Sequence, residues 1–226
     1  IFCSPHNPVG RVWTREELLR VSDLCCKHGV LLVADEIHAD LVWKGNKHIP
    51  IASVSKEAAA NTITCTAPSK TFNLAGLATA NAIISNPQIR EQFCEERRKS
   101  ALHSPDTFGM VALEAAYNHG EVWLSDLMEY LEGNYELLER YLREHLSEVK
   151  PLKPEGTYLV WLDFRSLGLD EEGLKQFLNQ EARVAMDQGP WFGAGGQGFA
   201  RMNLACHRST LQDALQRLEH AIHKGK

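Results

Sequence analysis

No stretch of the 226-residue sequence approaches the roughly 20 consecutive apolar residues that a bilayer-spanning helix needs, so no such helix is expected. The opening residues IFCSPHNPVG lack both the basic stretch and the long apolar stretch of a secretion signal, which leaves export without support. Charge of one sign is missing too. Lys and Arg number 24 against 29 Asp and Glu, a formal net charge of -5, with no basic stripe along which a phosphate backbone would run. Nucleic acid is therefore not an expected partner. The six cysteines, Cys3, Cys25, Cys26, Cys65, Cys94 and Cys206, include no C-x-x-C pair, and a chain of this length does not depend on disulfide staples. Reduced thiols and a cytoplasmic setting are expected. Internal repeats and low-complexity tracts are also absent. The first residue is Ile, not Met, and IFC reads as the end of a strand, so the sequence is expected to be a piece of a longer protein.

What is present is the composition of a globular protein, with 44% hydrophobic and 23% charged residues. Thr14 followed by Glu17 forms a capping box that opens an amphipathic helix, REELLRVSDLCCKH, closed by Gly29. Residues 30–34 are continuously apolar, which predicts a strand covered on both faces in a parallel sheet. TITCT at 62–66 predicts a second strand, followed by the loop APSKTFNLAGL and a third strand, ATANAII, at 78–84. From Pro87 the pattern is helical: PQIREQFCEERRKSALH, SPDTFGMVALEAAYNHG, and a long helix from Glu121 to about Leu146 that is placed to bridge two domains. EERRK at 95–99 reads as a solvated helix face. TYLVWLDF, FARMNLAC and a closing helix capped by Ser209 and Gln212 predict an α+β unit. The fold class is α/β, with domains 1–122 and 123–226.

Ionisable groups crowd the end of the first predicted strand. VADEIHADLVW sets Asp35, Glu36, His38 and Asp40 directly after apolar residues, where a carboxylate calls for a partner of opposite charge. Lys70 follows the second predicted strand in a loop of small and turn-forming residues, a place expected to desolvate its amine in part. Desolvation lowers a lysine pKa, and a neutral amine attacks an aldehyde to form a Schiff base. Alone, Ser-Lys-Thr reads as a surface lysine and Asp35 as a helix N-cap. Together they match the needs of an aldehyde cofactor whose basic ring nitrogen is kept protonated by a carboxylate. Asp35 and Lys70 follow strand carboxyl ends, where open parallel sheets bind ligands.

The motifs SPHNPVGRVWTREEL, VADEIHADLVW, HIPIASV, APSKTFNLAGL and FARMNLAC, in that order along nearly the whole chain, resemble fold-type I pyridoxal-phosphate enzymes of the aminotransferase superfamily. Within it the resemblance is to the cystathionine beta-lyase-like carbon–sulfur lyases. It implies the second half of the large cofactor-binding domain plus a smaller C-terminal α+β domain, a homodimer, and an amino-acid substrate. It implies Lys70 as the lysine that takes the aldehyde, Asp35 as the partner of the ring nitrogen, Asn7 as a donor to the cofactor's phenolic oxygen and Arg201 as the grip on the substrate α-carboxylate. His38 stands where most aminotransferases carry tyrosine, a change that resembles the lyase branch and places it among the cofactor-binding residues.

Two other positions depart from the family. Ala67 replaces the usual phosphate-binding serine, and Ala78 stands where many relatives have arginine, which leaves Ser69 or Thr66 to supply hydroxyls. The resemblance places the phosphate-cradling loop and the ring-stacking aromatic upstream of Ile1, so these residues alone are expected to hold half a site and to be inactive or to need that half for stability. The glycine cluster GAGGQG at 193–198 leads into a strand and so is no dinucleotide fingerprint; it reads as a mobile loop. No metal site is expected, since His38 has no second histidine at ligand spacing. The function implied is β-elimination from cystathionine or cysteine to a thiol, pyruvate and ammonia. Transamination by a class I/II aminotransferase and a non-enzymatic sensor domain of a regulator are the alternatives.

Overall fold

The computed structural model describes residues 1–102 and 106–224. The predicted helix end at His103 and helix start at Ser104 lie outside them. The chain divides into two compact units: 1–6 with 11–126, and 7–10 with the chain from Leu127 onward.

In the first unit β1 (Phe2–Cys3), β2 (Leu32–Asp35), β3 (Thr62–Thr66) and β4 (Asn81–Ile84) form one sheet in that order. The first three are parallel and the last is antiparallel, so the sheet is mixed where a parallel one was expected. Helix α1 (Arg15–Lys27) connects β1 to β2, and α2 (Lys56–Ala60) leads into β3. Thr14 Oγ1 accepts from Glu17 N at 3.3 Å and Glu17 Oε2 accepts from Thr14 N at 2.9 Å, the reciprocal pair that the sequence signals. Val30 N still donates to Cys25 O at the end of this helix. The strand therefore starts two residues later than the apolar run, and Val30 and Leu31 are exposed, not covered. Leu18, Leu32, Ala34, Ile51, Val54 and Ala58 form one buried core cluster, each large aliphatic side chain among them worth about 1.5–3 kcal/mol of transfer free energy.

The predicted loop after β3 contains a single helical turn, α3 (Pro68–Thr71), with Pro68 in the first turn. Ala78 takes a left-handed conformation (φ 45°), and β4 starts at Asn81 instead of at Ala78. Asn86 caps α4 (Pro87–Lys99), Asp106 caps α5 (Thr107–His119), and α6 (Glu121–His145) continues into the second unit.

There β5 (Lys150–Leu152), β6 (Leu159–Asp163), β7 (Asp187–Gln188) and β8 (Phe199–Asn203) make an antiparallel sheet in the order β5-β6-β8-β7. Helix α7 (Glu171–Gln176) precedes β7, and α8 (Arg208–Lys224) follows β8. Buried residues recur on α6 at 131, 135, 138 and 142 and on α8 at 211, 215, 218 and 222, the spacing of an amphipathic helix. Because α8 begins at Arg208, Ser209 lies inside its first turn instead of capping it. Arg208 N donates instead to the Tyr130 hydroxyl at 2.8 Å.

Candidate active site

In the first unit the site residues follow the ends of β2 and β3. Asp35 closes β2 and shares its row of the sheet with Cys3 and Cys65, so the three side chains project from one face. Its Oδ1 accepts from Ile37 N at 3.2 Å, while Oδ2 has no hydrogen bond among the described residues. Burial, then the charges of Asp35 and Glu36, push the Cys65 thiol up, so it stands beside the carboxylate as a protonated neighbour.

The next residue points the other way. Glu36 is 2% exposed; its Oε1 accepts from Ile51 N at 2.9 Å and its Oε2 lies 3.0 Å from His48 Nε2. The strand-end carboxylate that finds a partner within the protein is thus Glu36, a pairing absent from the sequence reading. The signal for it was the histidine of HIPIASV. His38 is buried two residues further on.

Thr71 Oγ1 donates to Asp40 Oδ2 at 2.9 Å and ties α3 to the segment that follows Asp35. Pro68 and Thr71 are the buried residues of this one-turn helix, which turns Lys70 outward. Lys70 is exposed and makes no ion pair or hydrogen bond among the described residues. The expected partial desolvation of its amine is therefore corrected. Ser69 is half-buried, and Ala67 precedes the turn without a side-chain cap.

Asn7 and Arg201 fall in the second unit and meet. Arg201, in β8, donates from Nη1 to Asn7 Oδ1 at 2.6 Å and from Nε to Asp187 Oδ2 at 3.0 Å. Nη2 also donates to Asp187 Oδ2, and the Phe192 ring centre lies 4.8 Å from Cζ. Asn7 Nδ2 makes no hydrogen bond among the described residues. Burial raises the pKa of the nearby Tyr158 hydroxyl, against a lowering by the charge of Arg201. The glycine of HNPVG is required: at Gly10 φ is +70°, and a Cβ would meet Pro154 Cβ at 2.7 Å. The Gly10 carbonyl accepts from Glu155 N and Gly156 N at 2.8 and 2.9 Å. Asp187 was not singled out in the sequence, because only the pairing of β7 with β8 reveals it.

Comparison with known proteins adds the family. The profile of "Aminotransferase class I and II" matches residues 1–218. The chain is 44% identical over 222 residues to cystathionine beta-lyase PatB of Bacillus subtilis, covering 98% of this chain and 57% of that protein. It is 37% identical over 223 residues to protein MalY of Escherichia coli, covering 98% and 56%. Its fold superposes on the crystal structure of cystalysin from Treponema denticola, which contains a pyridoxal 5'-phosphate cofactor, with a TM-score of 0.97 and 41% identity over 100% of this chain and 57% of that one. The chain thus spans less than two thirds of the length of these relatives.

Proposed function

Because the chain belongs to the aminotransferase class I and II family, we propose that it is part of a pyridoxal-phosphate-dependent carbon–sulfur lyase that, with one water, converts cystathionine or cysteine to a thiol (hydrogen sulfide from cysteine), pyruvate and ammonia. The observation that carries this reading is the open bonding capacity of Asp35 Oδ2 and Lys70 Nζ after neighbouring parallel strands. The lyase names among the relatives favour elimination over amino transfer.

The residues present fit the ring and aldehyde ends of the cofactor. In the first unit Asp35 Oδ2 is the acceptor for a protonated ring nitrogen and Lys70 Nζ the amine for the aldehyde; the donor to the phenolic oxygen that family membership suggests is Asn7, whose Nδ2 is open within its own unit. His38 takes the buried position two residues beyond Glu36 as part of the same cofactor-binding set. For the phosphate, Ser69 and Thr66 supply hydroxyls and Ala67 none. When bound, the cofactor supplies an electron sink for the bond broken at the substrate α-carbon. Once the substrate amine has displaced it from the aldehyde carbon, Lys70 Nζ would take the proton from the substrate α-carbon as general base. Asp35 holds the proton on the ring nitrogen. Arg201 fixes the α-carboxylate through its planar guanidinium. The proposed assembly is a homodimer, and the free cysteines support a cytoplasmic setting.

The whole protein incubated with cystathionine and no keto acid is expected to release pyruvate over many turnovers. Product formed only when a keto acid is added would assign an aminotransferase instead. Borohydride reduction in the presence of the cofactor is expected to fix it on Lys70, and label on any other lysine removes the assignment.

A further inference from the structure

The chemistry above makes no use of Asp187, yet this is the residue set against Arg201. The two are direct partners in the antiparallel pairing of β7 with β8, where opposite charges on one face attract. A single oxygen, Asp187 Oδ2, accepts from both Nε and Nη2 of Arg201, and Asn7 Oδ1 accepts from Nη1. Three of the five guanidinium N–H groups are thereby engaged, leaving one on each terminal nitrogen. The side chain of Arg201 is 18% exposed and that of Asp187 42%. A cavity of about 370 Å³ lined in part by Lys175, Asn179, Asp187, Trp191 and Arg201 opens beside them.

A guanidinium already facing a carboxylate gains less from a second one, since attraction to the newcomer is offset by its repulsion from the first. Planar bidentate binding on the Nε and Nη2 edge also requires Asp187 to leave that edge. We propose that Asp187 is a specificity-determining residue, a resident carboxylate that competes for Arg201 and sets the affinity a substrate carboxylate must reach to take its place. The inference rests on the reading of Arg201 as the substrate-carboxylate anchor. A bare anion competes poorly against a tethered one. A substrate held at a second point competes well, because its carboxylate then arrives at high effective concentration.

The test is modification of Arg201 by phenylglyoxal in the whole protein as purified, followed by the mass of the peptide that carries it. Acetate is the protecting probe, acetamide its neutral control, and ionic strength is held constant. Asp187→Asn is expected to speed the modification without acetate and to lower the acetate concentration that gives half protection by roughly three- to tenfold. Asp187→Ser, a smaller neutral replacement, is expected to behave alike, and Asp187→Glu to return the wild-type concentration. Equal half-protection in wild type and the neutral variants overturns the proposal. So does a higher concentration in the variants, which would make Asp187 a residue that orients Arg201. If acetate protects Arg201 in none of the proteins, the anchor reading itself fails and the proposal with it, an outcome distinct from equal protection.

Discussion

The two units treat the charged side chains of their candidate site residues in opposite ways. In the first, Asp35 keeps one oxygen open and Lys70 has no partner among the described residues. In the second, three N–H groups of Arg201 are engaged by Asp187 and Asn7. The difference follows from place in the sheet. Arg201 sits inside β8 with Trp161 and Asp187 as direct cross-strand neighbours, so register alone delivers a partner. Asp35 and Lys70 stand at or beyond strand ends, where the ladder stops and nothing obliges a group to pair. Asp35 and Glu36 repeat the contrast one residue apart. Glu36 is buried and must be satisfied from inside, whereas half-buried Asp35 is not.

The comparison breaks most completely if Lys70 is dispensable. Lys70→Ala in the whole protein is expected to abolish the visible absorbance of lysine-bound cofactor and reduce turnover to background, as read by spectrophotometry and pyruvate release. Retention of both would leave the open amine without a role. The next largest effect belongs to the closed carboxylate. Glu36→Ala takes the buried acceptor from Ile51 N and the partner from His48 Nε2, and is expected to cost about 3 kcal/mol of stability in urea unfolding. A cost within error of zero would mean that the contact contributes nothing. Asp35→Asn sharpens the contrast from the other side. It is expected to leave stability nearly unchanged and the Lys70 linkage intact, while turnover falls by about two orders of magnitude because an amide does not hold the ring nitrogen protonated. Normal turnover would remove the ring-nitrogen role.

Much of this was legible where the signal is local. The capping box at Thr14 and Glu17, the five residues of β3 and the extent of α6 are written in caps and periodicity within a few residues. The order of the motifs around Asp35 and Lys70 was legible as well. What escaped depends on pairing at a distance. The direction of β4, the Glu36 contact with His48 twelve residues on, and the Asp187 contact with Arg201 fourteen residues on are set by register and packing. An apolar run also marks a strand without marking its start: Val30 completes the hydrogen bonding of α1 and so cannot also begin β2. The exposure of Lys70 was missed because a run of small and turn residues reads as a loop, and the single turn within it decides which side chains face inward.

The smallest effect tests whether the open site residues are insulated from the scaffold that carries them. Thr14 caps α1 through its hydroxyl, and Glu17 reciprocates through its carboxylate with Arg11 Nη2 at 2.6 Å from Oε1. Thr14→Ala removes only the hydroxyl half and is expected to cost about 1 kcal/mol in urea unfolding. The cofactor absorbance of the whole protein should not move, since α1 precedes β2 and contributes no site residue. The Glu17 half carries a pH signature. The backbone N–H of Thr14 first, then the Thr14 hydroxyl and the Arg11 charge, hold the Glu17 carboxyl below its ordinary range. A carboxyl depressed in the folded state stabilises above its unfolded pKa and loses that contribution as pH falls through the folded one. The stability gap between wild type and Glu17→Ala should therefore narrow on acidification below the ordinary glutamate range. A gap that widens there would show that the carboxylate is not what closes the box.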